Sequence, residues 1–228
     1  MIRKDTAILV FAQTAATASQ HKAIHGGNKL FSTLNKQTLD TVQKTKIPYF
    51  LFDEHVQEGD SFGKRFVHAI EQVFNAGYER VIAIGNDTPH LKAAHIIKAA
   101  QRLQEQSLVL GPSLDGGFYL MGLDRSVFNK EALLNLPWQS SGLRQALLQQ
   151  YTPTGKNVIV LPALADIDNW DDLYAIKKRL FTLSRKLKHL ILQLTTTQTI
   201  PVLYTLEITD TGVYTLPTNK GSPEYLAA

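Results

Sequence analysis

The feature that most constrains this chain is a set of short, unbroken apolar runs that alternate with longer segments of helical periodicity. The runs lie at residues 7–11, 47–52, 81–84 and 108–110, and the helical segments at residues 29–44, 62–74 and 92–104. Strands that are buried on both faces carry such continuous apolar runs. The alternation therefore predicts βαβ units and a largely parallel sheet with helices on both faces.

This rhythm changes after Gly111 and Pro112. The next apolar run, residues 118–123, follows Gly116 and Gly117 with no helix before it. A strand that arrives without a crossover helix favours a mixed, mostly parallel sheet in a three-layer α/β/α fold. Further patterns predict helices at 143–151 and 170–183, the latter extending toward 192, a strand at 158–161, and a loop over residues 13–28.

The composition shifts at Thr195, where a threonine-rich linker is predicted. Two β-rich runs follow at residues 200–209 and 213–216, and Asp210, Thr211 and Gly212 between them form a hairpin signal. We therefore expect a main domain over residues 1–194 and a small β-hairpin appendage over residues 195–228. Because chains usually cover free strand edges, pairing of this appendage in a homodimer is a hypothesis.

Composition excludes several classes of function. The absence of cysteine excludes disulfides, thiolate metal sites and a cysteine nucleophile. The net charge of +4 is dispersed, and the basic residues at 177–188 lack interleaved aromatic side chains, so no nucleic-acid partner is expected. No apolar run approaches the roughly 18–20 residues that span a bilayer. We expect a cytoplasmic protein without a membrane span.

Carboxylates follow three of the predicted strands. Asp87 comes after residues 81–84, Asp115 after residues 108–110, and Asp166 and Asp168 after the run at 158–161. Ligands of open α/β sheets bind beyond the carboxyl ends of the strands. Taken singly, each aspartate is better explained by a turn or a helix cap. Together they favour one site for Mg²⁺ or Mn²⁺, which could neutralise a leaving nucleoside diphosphate.

Other nucleotide and hydrolase signatures are missing. The sequence has no G-x-G-x-x-G after the first strand, no phosphate-binding P-loop and no G-x-S-x-G. His21 and His25 have zinc-pair spacing, but no glutamate follows His21 and the segment is a predicted loop, so we expect no histidine metal site.

Six motifs in order carry a family resemblance. They are ILVFA at 8–12, QEGDSFGKRF at 57–66, GNDTPHL at 85–91, GPSLDGGFYLMGL at 111–123, PW at 137–138 and DIDNWDDL at 166–173. The chain resembles the DUF2064 family of predicted glycosyltransferases, which have the GT-A fold of nucleotide-diphospho-sugar transferases. The resemblance covers residues 7–176, and the string at 111–123 is its most specific part.

The resemblance implies a nucleotide or nucleoside-diphosphate sugar as the partner, with Mg²⁺ or Mn²⁺. It implies Asp87 as the metal ligand and Asp115 and Asp168 as catalytic carboxylates. The residues implied in nucleotide binding are Phe11, Ala12, Lys22, Gly59, Gly63, Arg65, Asn86, Asp87, Gly116 and Gly117. The implied activity is transfer of a sugar from the nucleotide to an acceptor.

One segment departs from the family pattern. A basic loop of the type Pro-x-Gly-x-x-Lys-Thr-Arg-Leu usually follows the first strand, but here only Lys22 remains as a cation. Each lost charge-assisted bond to phosphate is worth about 1.5–3 kcal/mol. Two alternatives therefore stay open: a nucleotidyltransferase that acts on a phosphorylated small molecule, and a non-catalytic nucleotide-binding or scaffold relative.

Overall fold

The computed structural model describes residues 5–151 and 158–197. Within them the chain forms six strands: β1 (Thr6–Phe11), β2 (Tyr49–Phe52), β3 (Arg80–Ile84), β4 (Leu108–Pro112), β5 (Phe118–Asp124) and β6 (Val158–Val160). The helices are α1 (Ala15–His21), α2 (Asn28–Thr45), α3 (Phe62–Asn75), α4 (Ala93–Arg102), α5 (Lys130–Leu134), α6 (Leu143–Tyr151), α7 (Trp170–Lys177) and α8 (Arg185–Thr197). Short 3₁₀ turns lie at Arg125–Val127 and Leu180–Thr182.

The six strands form one mixed sheet in the order β2-β1-β3-β5-β4-β6. β5 is antiparallel to both of its neighbours, β3 and β4, and the other pairings are parallel. The carboxyl ends of β1, β3, β4 and β6 therefore point toward the same edge of the sheet. The predicted mixed, mostly parallel sheet is confirmed.

Helices cover both faces of the sheet. Alternate side chains of β1 explain why, because Ala7 and Leu9 pack on one face and Ile8 and Val10 on the other, all fully buried. One face packs against α3, α5 and α6, and the other against α2 and α4. Burial on both faces accounts for the unbroken apolar runs and confirms the predicted three-layer α/β/α fold.

Two of the sequence predictions about helices are wrong. The segment predicted as a loop over residues 13–28 contains α1, and the single helix predicted over 170–183 is two helices, α7 and α8, separated by a 3₁₀ turn. Ser184, whose hydroxyl accepts from the backbone N–H of Leu187, lies at the start of α8. The separation lets Ile176 and Leu187 enter one core, together with Leu34 of α2.

The prediction of a threonine-rich linker from Thr195 also differs from the structure, because Thr195–Thr197 belong to α8. The predicted β runs at 200–209 and 213–216 lie outside the described residues. Close contacts group residues 1–195 into one compact unit, and of the second unit, residues 196–228, the structure describes only two residues. The domain boundary and the appendage stay predictions.

Within residues 5–151 and 158–197, no helix has both the length and the apolar character that crossing a membrane requires.

Candidate functional site

The loops that follow β3, β4 and β6 meet at one edge of the sheet. We call residues 85–89, 113–117 and 161–169 the strand-end rim. An isolated parallel bridge joins Ser113 to Leu164 and extends the pairing of β4 and β6 into these loops. Asp115 and Asp166 each lie two residues beyond this bridge, so their loops leave the sheet side by side.

A backbone hydrogen bond brings the third loop to the same place. The N–H of Ile167 donates to the carbonyl oxygen of Asp87 at 3.1 Å. Asp166 and Asp168, the two neighbours of Ile167, are thereby held next to the loop that follows β3. The predicted convergence of carboxylates from three strand ends is present in the fold.

Asp115, Asp166 and Asp168 form what we call the acidic triad. One carboxylate oxygen of each lies within 4.8 Å of the others. Ser113 Oγ and the N–H of Gly117 both donate to Oδ1 of Asp115, the latter at 2.9 Å, so that Oδ2 is left for another partner. A set of hard oxygen donors at this spacing suits Mg²⁺ or Mn²⁺.

The surroundings of the triad raise the pKa values of two of its carboxyl groups. Burial, followed by the charges of Asp87, Asp115 and Asp168, raises the pKa of Asp166 to about 7. Burial also raises the pKa of Asp168, although Lys22 opposes this effect. Burial and repulsion among the carboxylates therefore both oppose ionisation of these groups, and an added cation would relieve the repulsion.

Lys22 is the cation on the other side of the rim. Its Nζ lies 2.7 Å from Asp87 Oδ2, 2.7 Å from Asp168 Oδ1 and 2.6 Å from the carbonyl oxygen of Ile167. Burial alone would lower the pKa of Lys22, but Asp87 and Asp168 outweigh it and raise that pKa. Asp87 thus contacts Lys22, and its role as a metal ligand stays a prediction.

The segment that follows β1 is held by the carboxylate of Glu54, which no sequence motif singles out. Glu54 accepts hydrogen bonds from the N–H of Thr14 at 2.7 Å and from the hydroxyls of Thr14 and Thr17, at the start of α1. These bonds outweigh partial burial and lower the pKa of Glu54 to about 2. Lys22 directly follows α1 as its C-terminal capping residue, so this anchoring also places the ammonium.

Asn86 supports the same segment. Its side-chain amide donates to the carbonyl oxygen of Gln13 at 2.9 Å and to Asn35 Oδ1 at 2.6 Å. A predicted nucleotide-binding residue therefore ties the loop after β3 to the start of the segment that carries Lys22.

Phe11 and Ala12 lie at the end of β1, as predicted. The ring of Phe11 packs edge-on against Phe62 and Phe66 of α3. The carbonyl oxygen of Ala12 accepts from Gln57 Nε2 at 2.9 Å. Both residues have structural partners, and their contact with a nucleotide stays a prediction.

The residues predicted around α3 have mainly structural surroundings. A Cβ on Gly63 would lie 2.4 Å from Trp138 Cδ1, so glycine is required for this close approach. Gly59 has a φ of 134°, a backbone conformation that residues with a side chain rarely adopt. The hydrogen bond and the charge of Lys64, with a smaller contribution from the charge of Arg65, lower the pKa of Asp60 in the loop before α3. Nucleotide contacts of Gly59, Gly63 and Arg65 stay predictions.

Gly116 and Gly117 shape the turn that carries Asp115. A Cβ on Gly117 would lie 3.1 Å from Ser113 Oγ and 3.3 Å from Asp115 Oδ1. Gly116 has a φ of 101° and lies close to the backbone of Ser141. The turn therefore has little space for side chains beside the Asp115 carboxylate.

Two contributors were not among the predicted site residues. Asp166 follows β6 in the sequence, but only its burial and its neighbours in the fold explain why its pKa rises. Glu54 had no signal of its own, because its partners lie 37 and 40 residues earlier in the chain.

Comparison with known proteins agrees with this architecture. The DUF2064 family, described as an uncharacterized protein conserved in bacteria, matches residues 34–140. This range includes Asp87 and Asp115 but not Lys22, Asp166 or Asp168, and it is narrower than the resemblance expected over residues 7–176. No curated protein matches the sequence.

Solved structures share the fold. A candidate nucleotide-diphospho-sugar transferase from Desulfovibrio desulfuricans G20 superposes with a TM-score of 0.73 at 21% identity, over 85% of this chain and 96% of that one. The 4-diphosphocytidyl-2C-methyl-D-erythritol synthase of Anaerococcus prevotii superposes with a TM-score of 0.51 at 12% identity, over 77% and 99%. The fold is that of nucleotide-diphospho-sugar transferases, and the match over residues 34–140 confirms the resemblance to the DUF2064 family that the sequence motifs indicate.

Proposed function

We propose that this protein is a transferase that binds a nucleoside-diphosphate sugar at the strand-end rim, together with Mg²⁺ or Mn²⁺, and passes the sugar to an acceptor hydroxyl. The observation that carries the proposal is the convergence of Asp87, Asp115, Asp166 and Asp168 from three strand ends. The GT-A-like fold supports it, because ligands of such sheets bind at this edge.

In the proposed reaction the bond between the anomeric carbon and the diphosphate oxygen breaks, and the acceptor oxygen bonds to that carbon. The acceptor loses its proton to a carboxylate of the rim. A divalent ion, when bound, supplies electrostatic stabilisation of the leaving nucleoside diphosphate. The acidic triad is the group that would hold it.

The side chains of the rim have distinct parts in this proposal. Asp115 is the most exposed carboxylate of the triad, and because Ser113 and Gly117 both bond its Oδ1, Oδ2 can orient the acceptor hydroxyl. Asp168 is held in place by Lys22. Burial raises the pKa of Asp168 in the ion-free site, and we assign it as the carboxylate that receives the proton of the acceptor hydroxyl.

The test is calorimetry with UDP-, GDP- and ADP-sugars, each with and without Mn²⁺, followed by a donor-hydrolysis assay with the nucleotides that bind. We expect at least one donor to bind in a manner that requires Mn²⁺, and Asp166→Asn to abolish that Mn²⁺-dependent binding. Asp40→Asn is the matched control, because Asp40 is an exposed aspartate on α2 outside the rim. Failure of every donor to bind at millimolar concentration would contradict the proposal.

A second candidate is nucleotide binding without transfer. It is favoured by the ion pairs of Lys22, because they engage the one cation left in the segment where the family usually has a basic loop. A nucleotide that raises the melting temperature without any turnover of donor would support this candidate. Release of pyrophosphate from a nucleoside triphosphate would instead indicate a nucleotidyltransferase.

A further inference from the structure

The ammonium of Lys22 is surrounded as a bound metal ion would be. Its three N–H donors match three oxygen acceptors at 2.6–2.7 Å, two from carboxylates and one from the backbone of Ile167. The side chain is only 12% exposed. These three hydrogen bonds stabilise the ammonium in this position.

The anchoring of α1 and the ring of Phe31 also hold Lys22 in place. Glu54 and Thr14 anchor the start of α1, and Lys22 is the capping residue that directly follows the end of that helix. The ring of Phe31 lies 5.7 Å from Nζ, a separation at which a cation is attracted to an aromatic face. The position is therefore preorganised by covalent attachment and packing, which reduces the entropy lost when the cation meets its partners.

Asp168 connects this position to the acidic triad. Its Oδ1 contacts Lys22, while the residue also contributes an oxygen to the group formed with Asp115 and Asp166. Two adjacent cation positions are thus arranged around Asp168, and an ammonium occupies one of them. A divalent ion placed at that first position would collide with Nζ and be repelled by its charge.

We propose that Lys22 is a tethered cation that replaces a divalent ion between Asp87 and Asp168, so that the rim takes a single divalent ion, on the side of Asp115 and Asp166. This inference rests on the divalent-ion site of the proposed function. It assigns Lys22 a role in setting the number of ions, which is separate from any transfer of sugar.

A variant without the ammonium of Lys22 would have an unfilled cation position. Removing the charge of Lys22 would leave Asp87, Asp168 and the carbonyl oxygen of Ile167 facing one another with no cation among the three. Oxygen donors of this kind suit the same hard divalent ions as the triad does. Loss of Lys22 should therefore create a second divalent-ion position.

The experiment counts bound Mn²⁺ by electron paramagnetic resonance and isothermal calorimetry in the full-length protein, without nucleotide. We expect the wild type to bind one ion, Lys22→Met to bind two, and Lys22→Arg to bind one because it keeps the charge. Addition of Asp87→Asn to Lys22→Met should remove the second ion. Equal numbers of ions in the wild type and Lys22→Met would overturn the inference, as would two ions in the wild type.

These outcomes separate the inference from the proposed function. A wild type that binds none and a Lys22→Met variant that binds one would refute the triad site but support the role of Lys22. One ion in both would refute the role of Lys22 and leave the triad site standing.

Folding provides a further readout, because Lys22→Met brings uncompensated carboxylates together. If the variant folds only when Mn²⁺ is present during refolding, the ion has replaced the ammonium, as the inference requires. If circular dichroism shows that the variant stays unfolded at every Mn²⁺ concentration, no ion takes the place of Lys22 and the inference is wrong.

Discussion

The two halves of the strand-end rim carry the same kind of side chain in different electrostatic surroundings. On one half, Asp87 and Asp168 share the ammonium of Lys22. On the other, neither Asp115 nor Asp166 forms an ion pair within the part of the chain that the structure describes, and the pKa of Asp166 rises to about 7. The chain thus supplies its own cation to one half, and in the proposed function the other half binds a cation from solution.

The largest expected effect concerns the half without an internal cation. Asp166→Asn removes a charged oxygen donor from the acidic triad, and we expect it to weaken Mn²⁺ binding by at least about 100-fold, since even residues that only support metal ligands cost about 10–100-fold. Calorimetric titration with Mn²⁺ measures the change.

The same variant should have the opposite effect on the metal-free fold. The raised pKa of Asp166 means that the native state binds its proton more tightly than the unfolded chain does, so the ionised carboxylate lowers stability as the pH rises from about 4 to about 7. Asp166→Asn should therefore raise the metal-free melting temperature at pH 8, and Asp40→Asn should leave it unchanged. A fall in the melting temperature for Asp166→Asn would show that its charge is compensated.

The pH dependence of Mn²⁺ affinity tests the role of Asp166. Asp166 faces Asp87, Asp115 and Asp168, and the only cation whose contacts reach this group among the described residues is Lys22. Below a pH of about 7 the carboxyl group of Asp166 keeps a proton, which competes with the metal ion. The affinity for Mn²⁺ should therefore fall by up to about tenfold per pH unit between pH 7 and 5. Calorimetry in buffers of different ionisation enthalpy would count the released proton, and a flat profile would refute this account.

Glu54→Gln tests how the internal cation is positioned. The carboxylate anchors the start of α1, and we expect its loss to lower the free energy of unfolding by about 1–2 kcal/mol, as for other charge-assisted caps. Because the pKa of Glu54 is lowered to about 2, the wild type should hold this advantage above about pH 5 and lose it as the pH falls toward 2. Urea unfolding of both proteins at several pH values measures the difference, and an advantage that persists unchanged at pH 2 would rule out the carboxylate as its source.

The smallest effect lies beside Asp87. The hydroxyl of Thr88 is buried and has no hydrogen-bond partner among the described residues. Thr88→Val keeps the shape and removes the unpaired group, so we expect stability to rise by up to about 1 kcal/mol.

A matched control for this substitution is Thr45→Val. The buried hydroxyl of Thr45 donates to the carbonyl oxygen of Val42 and accepts from the N–H of Ile47. Thermal unfolding should show a loss of stability for Thr45→Val, and a similar loss for Thr88→Val would mean that its hydroxyl does have a partner.

Local sequence patterns predicted the strands and missed part of the site for identifiable reasons. Unbroken apolar runs indicate buried strands whatever their neighbours, so the sheet and the strand-end positions of Asp87 and Asp115 could be predicted. The helix α1 has no apolar periodicity, and its start is bonded to Glu54, 40 residues away. The tertiary contact outweighs the local signal.

The ion pairs of Lys22 have the same origin. They span 65 and 146 residues, to Asp87 and Asp168, so no motif or spacing connects them. The sequence indicates that Lys22 is the one lysine or arginine in the segment 13–24 that follows the first strand. The anchoring of α1 by Glu54 and the packing of α1 against α2 together place the ammonium between two carboxylates that the sequence assigned to metal and catalysis.

The most direct test of the account is the anomalous diffraction of crystals grown with Mn²⁺ and a nucleoside diphosphate. We expect a single Mn²⁺ peak within bonding distance of the carboxylates of Asp115, Asp166 and Asp168, with Lys22 still in contact with Asp87. No peak at the acidic triad, or a peak between Asp87 and Asp168 with Lys22 displaced, would contradict it.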